Sequence, residues 1–165
     1  MTTRPTPDRL RETLFNILAP RIEDAVFLDA YAGTGAVGIE ALSRGARHVY
    51  FLERSRPAIE VIRENLASLA VGARATVVTG PVLLTLERFH ADIVFIDPPY
   101  DLEREYRSAL DWFGAHPAPL VIAQHSVHLG LADDYGSLHR TRLLKQSDNA
   151  LSFYSPSPDN SITAG

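Results

Sequence analysis

The run Val26-Phe27-Leu28-Asp29 passes through Ala30-Tyr31-Ala32-Gly33-Thr34-Gly35-Ala36-Val37-Gly38 into the helical stretch Ile39-Glu40-Ala41-Leu42-Ser43-Arg44. A short apolar strand that turns through closely spaced glycines into a helix is the first half of a βαβ unit, which commits the next strand to a parallel pairing. The rest of the chain keeps the same rhythm. Apolar runs at 26–31, 48–53, 75–79, 92–96 and 119–124 read as strands, with helical patterns near 36–44, 57–70, 82–89 and 103–115 between them. This alternation predicts an α/β fold whose mostly parallel sheet carries helices on both faces. Segments 138–145 and 150–155, joined through Gln146 to Asn149, predict a terminal antiparallel hairpin and bring the expected sheet to seven strands. With 165 residues, 45% of them hydrophobic, the chain is expected to form one domain over 1–155. A domain of that size buries about two-thirds of its unfolded surface. The Pro- and Ser-rich segment 156–165 is expected to be a disordered tail.

The glycine turn is built for a nucleotide-containing cofactor. Glycines let the backbone approach a ligand without Cβ clashes, and a helix N-terminus offers N–H groups. Twenty residues past Gly33, at the end of His48-Val49-Tyr50-Phe51-Leu52, stands Glu53. An acid at the tip of the second strand is placed to accept the hydroxyls of a ribose. On the glycines alone, Gly33-x-Gly35-x-x-Gly38 fits the dinucleotide fingerprint, so NAD and FAD stay open beside S-adenosylmethionine. Asp29 tilts the balance, because a carboxylate at the strand end suits the ammonium and sulfonium side of S-adenosylmethionine and would repel a pyrophosphate.

Asp97-Pro98-Pro99-Tyr100 follows the apolar run Ile93-Val94-Phe95-Ile96. As ordinary turn residues these four could do no more than connect a strand to a helix. Their chemistry also matches methyl transfer to an exocyclic base amine. The lone pair of such an amine is delocalised into the ring, so attack is favoured by acceptors that hold its N–H protons as charge develops. The Asp97 carboxylate supplies one acceptor and the Pro98 carbonyl another. The di-proline turn is stiff because its φ angles are fixed, and Tyr100 is placed to stack on the base.

Asp29 to Gly38, Glu53 and Asp97 to Tyr100 together resemble the class I, Rossmann-like S-adenosylmethionine methyltransferases of the amino-methylating type. The opening Arg4-Pro5-Thr6-Pro7-Asp8-Arg9-Leu10-Arg11-Glu12-Thr13-Leu14-Phe15-Asn16-Ile17-Leu18 and the stretch Leu42-Ser43-Arg44-Gly45-Ala46 narrow the likeness. From about Arg4 to Tyr154 the chain resembles the RsmD family, bacterial enzymes that methylate the guanine N2 of one position in small-subunit (16S) ribosomal RNA. The resemblance implies S-adenosylmethionine as cofactor, with Asp29, Ala30, Gly33, Gly35, Glu53, Arg54, Val82 and Asp97 as its binding residues. It implies catalysis by Asp97, Pro98, Pro99 and Tyr100 without a metal, on ribosomal RNA within assembling subunits, by a cytoplasmic monomer. It also lays the first helix, with Arg9, Arg11 and Glu12, over the methionine end of the cofactor. Where many members carry an acid for the adenine amine, this chain reads Thr79-Gly80-Pro81-Val82, so adenine recognition is expected to rest on backbone groups and apolar contact. Ahead of the Arg-Pro-Thr motif stands only Met1-Thr2-Thr3 in place of the usual basic segment, and Lys145-Gln146-Ser147-Asp148-Asn149 replaces a tyrosine-glycine turn. Part of the usual RNA-contacting surface is therefore expected to be absent. Two alternatives remain: a methyltransferase acting on another nucleic-acid or protein amine, and a cofactor-binding assembly factor without catalysis.

Composition excludes other classes. With no cysteine, disulfides and thiolate metal sites are impossible. No apolar run approaches the roughly 20 residues of a bilayer span, and no membrane partner is expected. A net charge of −4 is unusual for an RNA enzyme, since phosphate neutralisation normally drives such binding. Local clusters offset it: Arg4, Arg9, Arg11 and Arg21 in the first 21 residues, and Arg140, Arg142 and Lys145 near the end. His125-x-x-His128 has metal-like spacing but no supporting ligand motif, and is expected to be loop surface.

Overall fold

The structure, a computed structural model, describes residues 8–99 and 102–156. Helix α1 (Asp8–Ile22) leads into β1 (Val26–Asp29), followed by α2 (Ala36–Ser43), β2 (His48–Glu53), α3 (Arg56–Leu69) and β3 (Ala75–Thr79). The second half runs α4 (Val82–Thr85), β4 (Ile93–Ile96), α5 (Glu103–Ala115), β5 (Leu120–Ser126), β6 (Asp134–Tyr135), β7 (Leu138–Gln146) and β8 (Asn149–Ser155). All eight strands join one sheet in the order β3-β2-β1-β4-β5-β8-β7-β6. Strands β1 to β5 pair in parallel, and β8 lies antiparallel between β5 and β7. The winding direction reverses between β1 and β4, and ligands of open α/β sheets bind beyond the carboxyl ends of the strands at such a point.

Alternation along each strand sorts the core into two layers. Phe27, Phe51, Phe95 and Ile122 are buried with Leu14, Phe15 and Leu18 of α1, Ala41 and Leu42 of α2 and Ile62 of α3. Leu28, Leu52, Val94, Ile96 and Val121 face the other way, against Val82 of α4 and Tyr106, Leu110 and Phe113 of α5. Gly38 shows why the first turn of α2 contains a glycine. A Cβ there would meet the Phe51 ring at 2.3 Å, so helix and sheet close only because none exists.

Most expected elements lie where the pattern puts them, with local differences. Strand β1 stops at Asp29: the Ala30 N–H makes the last ladder bond, to the Phe95 carbonyl (3.0 Å), and beyond it Ala32 rather than Tyr31 donates to the Leu52 carbonyl (3.0 Å), which turns the chain out of the ladder. The helix expected over 82–89 is a single α turn continued by a 3₁₀ turn, Leu86–Arg88. Strand β5 runs on to Ser126, which puts His125 in a buried strand rather than the loop its spacing with His128 suggests. Its ring contacts the Ser152 hydroxyl (2.8 Å) and the Ser126 carbonyl (2.9 Å). Among the described residues no cluster of three or more His, Cys, Asp or Glu could hold a metal.

The sheet also has one strand more than the pattern predicts. At two residues, β6 is too short to carry a periodic signal, and it is held from outside. The Gly114 carbonyl of α5 accepts from the Ser137 N–H (3.1 Å) and hydroxyl (2.7 Å), and Gly136 takes φ 57° beside it. A Cβ on Gly114 would lie 2.2 Å from the Tyr135 carbonyl oxygen, a backbone atom that cannot swing aside. Gly114→Ala is therefore expected to destabilise the protein by about 2 kcal/mol or more, the scale for forced overpacking, in urea unfolding. Tyr100 and the segment 157–165 lie outside the described residues.

Candidate active site

Three strands end on the same device. Phe27-x-Asp29, Phe51-x-Glu53 and Phe95-x-Asp97 each place a buried phenylalanine two residues before a carboxylate. The register aligns Phe51 with Asp29 and Asp29 with Phe95. Because side chains two apart share a face, all three carboxylates lie on the α1-α2-α3 side of the sheet, at the carboxyl edge, astride the β1/β4 reversal. The site is thus made by strand alternation and register acting together.

Asp29 is 1% exposed, and its Oδ2 accepts the Gly38 N–H at 3.0 Å. Glu53 is 7% exposed, and its Oε1 accepts from Gly33 N (2.8 Å) while Oε2 accepts from Arg54 N (3.1 Å) and Ser55 N (2.9 Å). The Gly35 N–H is spent on the Ala32 carbonyl (2.8 Å). The three glycine N–H groups of the fingerprint are therefore all satisfied within the protein, two of them by carboxylates. A dinucleotide pyrophosphate would find neither free donors at these positions nor a tolerable field. Asp29, when ionised, offers a counter-charge to a cationic ligand instead. The donor set fits the sulfonium and ammonium of S-adenosylmethionine, and a carboxylate has about four acceptor positions, so Glu53 retains one for a ribose hydroxyl.

The structure places the other expected binding residues as follows. Gly33 and Gly35 take φ 57° and 84°, the left-handed conformations that bend the chain over the strand ends. Ala30 is buried, and its N–H ties the tip of β1 to β4. Arg54 contributes its N–H to Glu53 while its side chain is exposed. Val82 is buried against Leu52 and Leu28 at the start of α4. Gly80 (φ 144°) binds the Glu53 carbonyl through its N–H (3.0 Å), which brings the 79–82 turn to the same edge. Asp97 is half-buried, Pro98 buried and Pro99 half-buried directly after β4.

Two features here have no signature in the sequence. The Tyr31 hydroxyl donates to Glu105 Oε2 at 2.5 Å, linking the glycine turn to α5, the helix that follows the Asp97 loop. Burial and the Glu105 carboxylate hold the Tyr31 phenol well above its usual range, so it stays a donor. The Gln124 side chain on β5 is the other, and no local pattern separates it from an ordinary strand residue.

Burial pushes the Asp29 carboxyl up to about 7, with the Gly38 N–H opposing and the Glu53 charge adding. A folded-state value above the unfolded 3.8 means that the native protein holds a proton the unfolded chain releases. The stability from this group is present in full below pH 3.8 and is lost as pH rises through about 7. Relative to Asp29→Asn, ligand-free protein is expected to lose stability at up to about 1.4 kcal/mol per pH unit across that window, then run level above it. Urea unfolding of both proteins across the window is the check.

A family model described as Conserved hypothetical protein 95 matches residues 1–155. A Bacillus subtilis protein named "Putative rRNA methyltransferase YlbH" is 32% identical over 153 residues, spanning 86% of this chain and 81% of that protein. Ribosomal RNA small subunit methyltransferase D of Escherichia coli K12 is 47% identical over 98 residues, which are 59% of this chain and 50% of that protein's length. Among solved structures, "Putative methyltransferase yhhF from Escherichia coli" superposes with a TM-score of 0.83 at 33% identity, covering 92% of this chain and 87% of that one. With three strand-end carboxylates gathered at a turn whose three glycine N–H groups are already taken, and on these matches, the chain belongs to the RsmD family of class I S-adenosylmethionine-dependent methyltransferases.

Proposed function

We propose that this protein transfers the methyl group of S-adenosylmethionine to the exocyclic N2 amine of a guanine in small-subunit ribosomal RNA. The observation that carries the reading is the collection of Asp29, Glu53 and Asp97 on one face and one edge of the sheet, astride the reversal point. The cofactor brings an electrophilic methyl on a sulfonium. Asp29 holds the cationic side, Glu53 a ribose hydroxyl, and the 79–82 turn lies against the adenine through backbone and apolar contact. Asp97 and the Pro98 carbonyl accept the N–H protons of the target amine, and Tyr100 stacks on the base. Most of the acceleration comes from alignment and from acceptors fixed where charge develops. The base must leave its stack to reach them, or be presented already unpaired.

The RNA surface is sparse. Arg140 is bound to Asp133 (2.6 Å) and Ser152 (3.1 Å), so the late basic group reduces to Arg142 and Lys145. On α1, Arg9 is exposed and Arg11 pairs with Asp8 at 3.0 Å. With a net charge of −4, free RNA binds weakly, and protein or folded RNA must help present the base. The substrate in this reading is an assembling small subunit, met by a monomer in the cytoplasm. Among the described residues no helix is long and apolar enough to cross a membrane.

Incubation with labelled S-adenosylmethionine and either small subunits or deproteinised RNA, followed by digestion to nucleosides, is the test. N2-methylguanosine is expected, and more of it from particles. Arg9→Glu with Arg11→Glu should lower particle methylation more than S-adenosylhomocysteine binding. Label on another atom, or none, would sink the reading; efficient methylation of bare RNA by the double variant would move the RNA surface elsewhere.

A further inference from the structure

Gln124 on β5 stands level with Asp97, two residues before that strand ends at Ser126. Phe95 pairs with Ile122 and Ile96 with Ala123, so the next pair out along the two strands is Asp97 and Gln124. Both lie two residues beyond a core residue of the α1 layer, which gives them the same face and the same edge. The start of α1 is at that edge too, because α1 ends at Ile22 beside the opening of β1, at the opposite end of the strands. Gln124 is 0% exposed, and neither its Nε2 nor its Oε1 has a hydrogen-bond partner among the described residues.

A buried amide with both ends unsatisfied works against stability. Its surroundings make it deliberate rather than loose. The Tyr106 hydroxyl donates to the Gln124 carbonyl at 2.6 Å from the other side of the sheet, and Leu151 of β8 pairs with it across the antiparallel ladder. The backbone of the residue is pinned, and register with alternation puts its buried amide on the same face of the sheet as Asp97.

We propose that Gln124 is the specificity-determining residue that reads the Watson–Crick edge of the target guanine, an inference that rests on the methyl-transfer reading above. Guanine carries its N2 amine, N1–H and O6 in a row. With N2 held at Asp97, the neighbouring N1–H and O6 fall toward the next strand, about 4.8 Å away. Gln124 Oε1 then accepts from N1–H and Nε2 donates to O6, so one amide satisfies both groups and is itself satisfied only when guanine is bound. Adenine, which has neither an N2 amine nor O6, fills neither position.

Three variants measured on small subunits test the assignment. Gln124→Met keeps length and shape but removes both polar atoms. It is expected to leave the melting temperature equal or higher and S-adenosylhomocysteine affinity unchanged, while N2-methylguanosine formation falls by roughly 10- to 100-fold, the scale for losing a bidentate base contact. Gln124→Leu repeats the test should the methionine variant fold poorly. Gln124→Glu, kept protonated by burial beside Asp97, offers the same acceptor and donor and should retain activity within about tenfold of the original. Undiminished product from the apolar variants overturns the proposal, as does an equal loss in all three or a parallel loss of S-adenosylhomocysteine binding. Absence of N2-methylguanosine with the unaltered protein instead overturns the parent reading, so the two failures are told apart.

Discussion

Asp97→Ala is expected to leave S-adenosylhomocysteine affinity within a few-fold of the original while depressing turnover by roughly 100-fold or more, the scale for removing one transition-state acceptor. The structure sharpens the separation of the two effects. Asp97 is half-buried at the tip of β4, whereas the hydrogen bonds that hold the glycine turn run to Asp29 and Glu53 on β1 and β2. Losing the carboxylate should therefore spare the glycine turn. Isothermal titration with S-adenosylhomocysteine and single-turnover methylation of small subunits give the two numbers. Equal losses in both would reassign Asp97 to the architecture of the site.

Glu53→Ala is expected to weaken the cofactor by roughly 1 to 3 kcal/mol, the range for unpairing a charged hydrogen-bonded group. It should also lower the stability of the ligand-free protein. Three backbone N–H groups, those of Gly33, Arg54 and Ser55, converge on this one carboxylate at 2.8 to 3.1 Å and would be left without it. The double effect distinguishes Glu53 from a residue that only touches ligand. Calorimetric binding and urea unfolding on the same preparation separate the two parts. An unchanged affinity with reduced stability would move the ribose contact elsewhere.

Much of the candidate site is legible in the order of the residues alone. The glycine spacing, the acid that ends β2 and the Asp97-Pro98-Pro99 turn are local features, and local features survive in a linear reading because propensity and periodicity are set by near neighbours. They do not settle the choice of cofactor chemistry. That choice turns on which N–H groups are already spent, and Gly33 and Gly38 donate to carboxylates 20 and 9 residues away. The Tyr31–Glu105 contact spans 74 residues and leaves no trace in either segment.

Local sequence dictates the α/β alternation and the residue types that follow each strand's core run, since each follows from a repeat of two or 3.6 residues and from turn chemistry. The packed fold brings Phe27-x-Asp29, Phe51-x-Glu53, Phe95-x-Asp97 and Ile122-x-Gln124 into one row, because register between strands is set by packing across the sheet and has no counterpart within any one strand. It also adds the eighth strand, which two residues could never announce and which exists because Gly114 and Gly136 let two backbones meet.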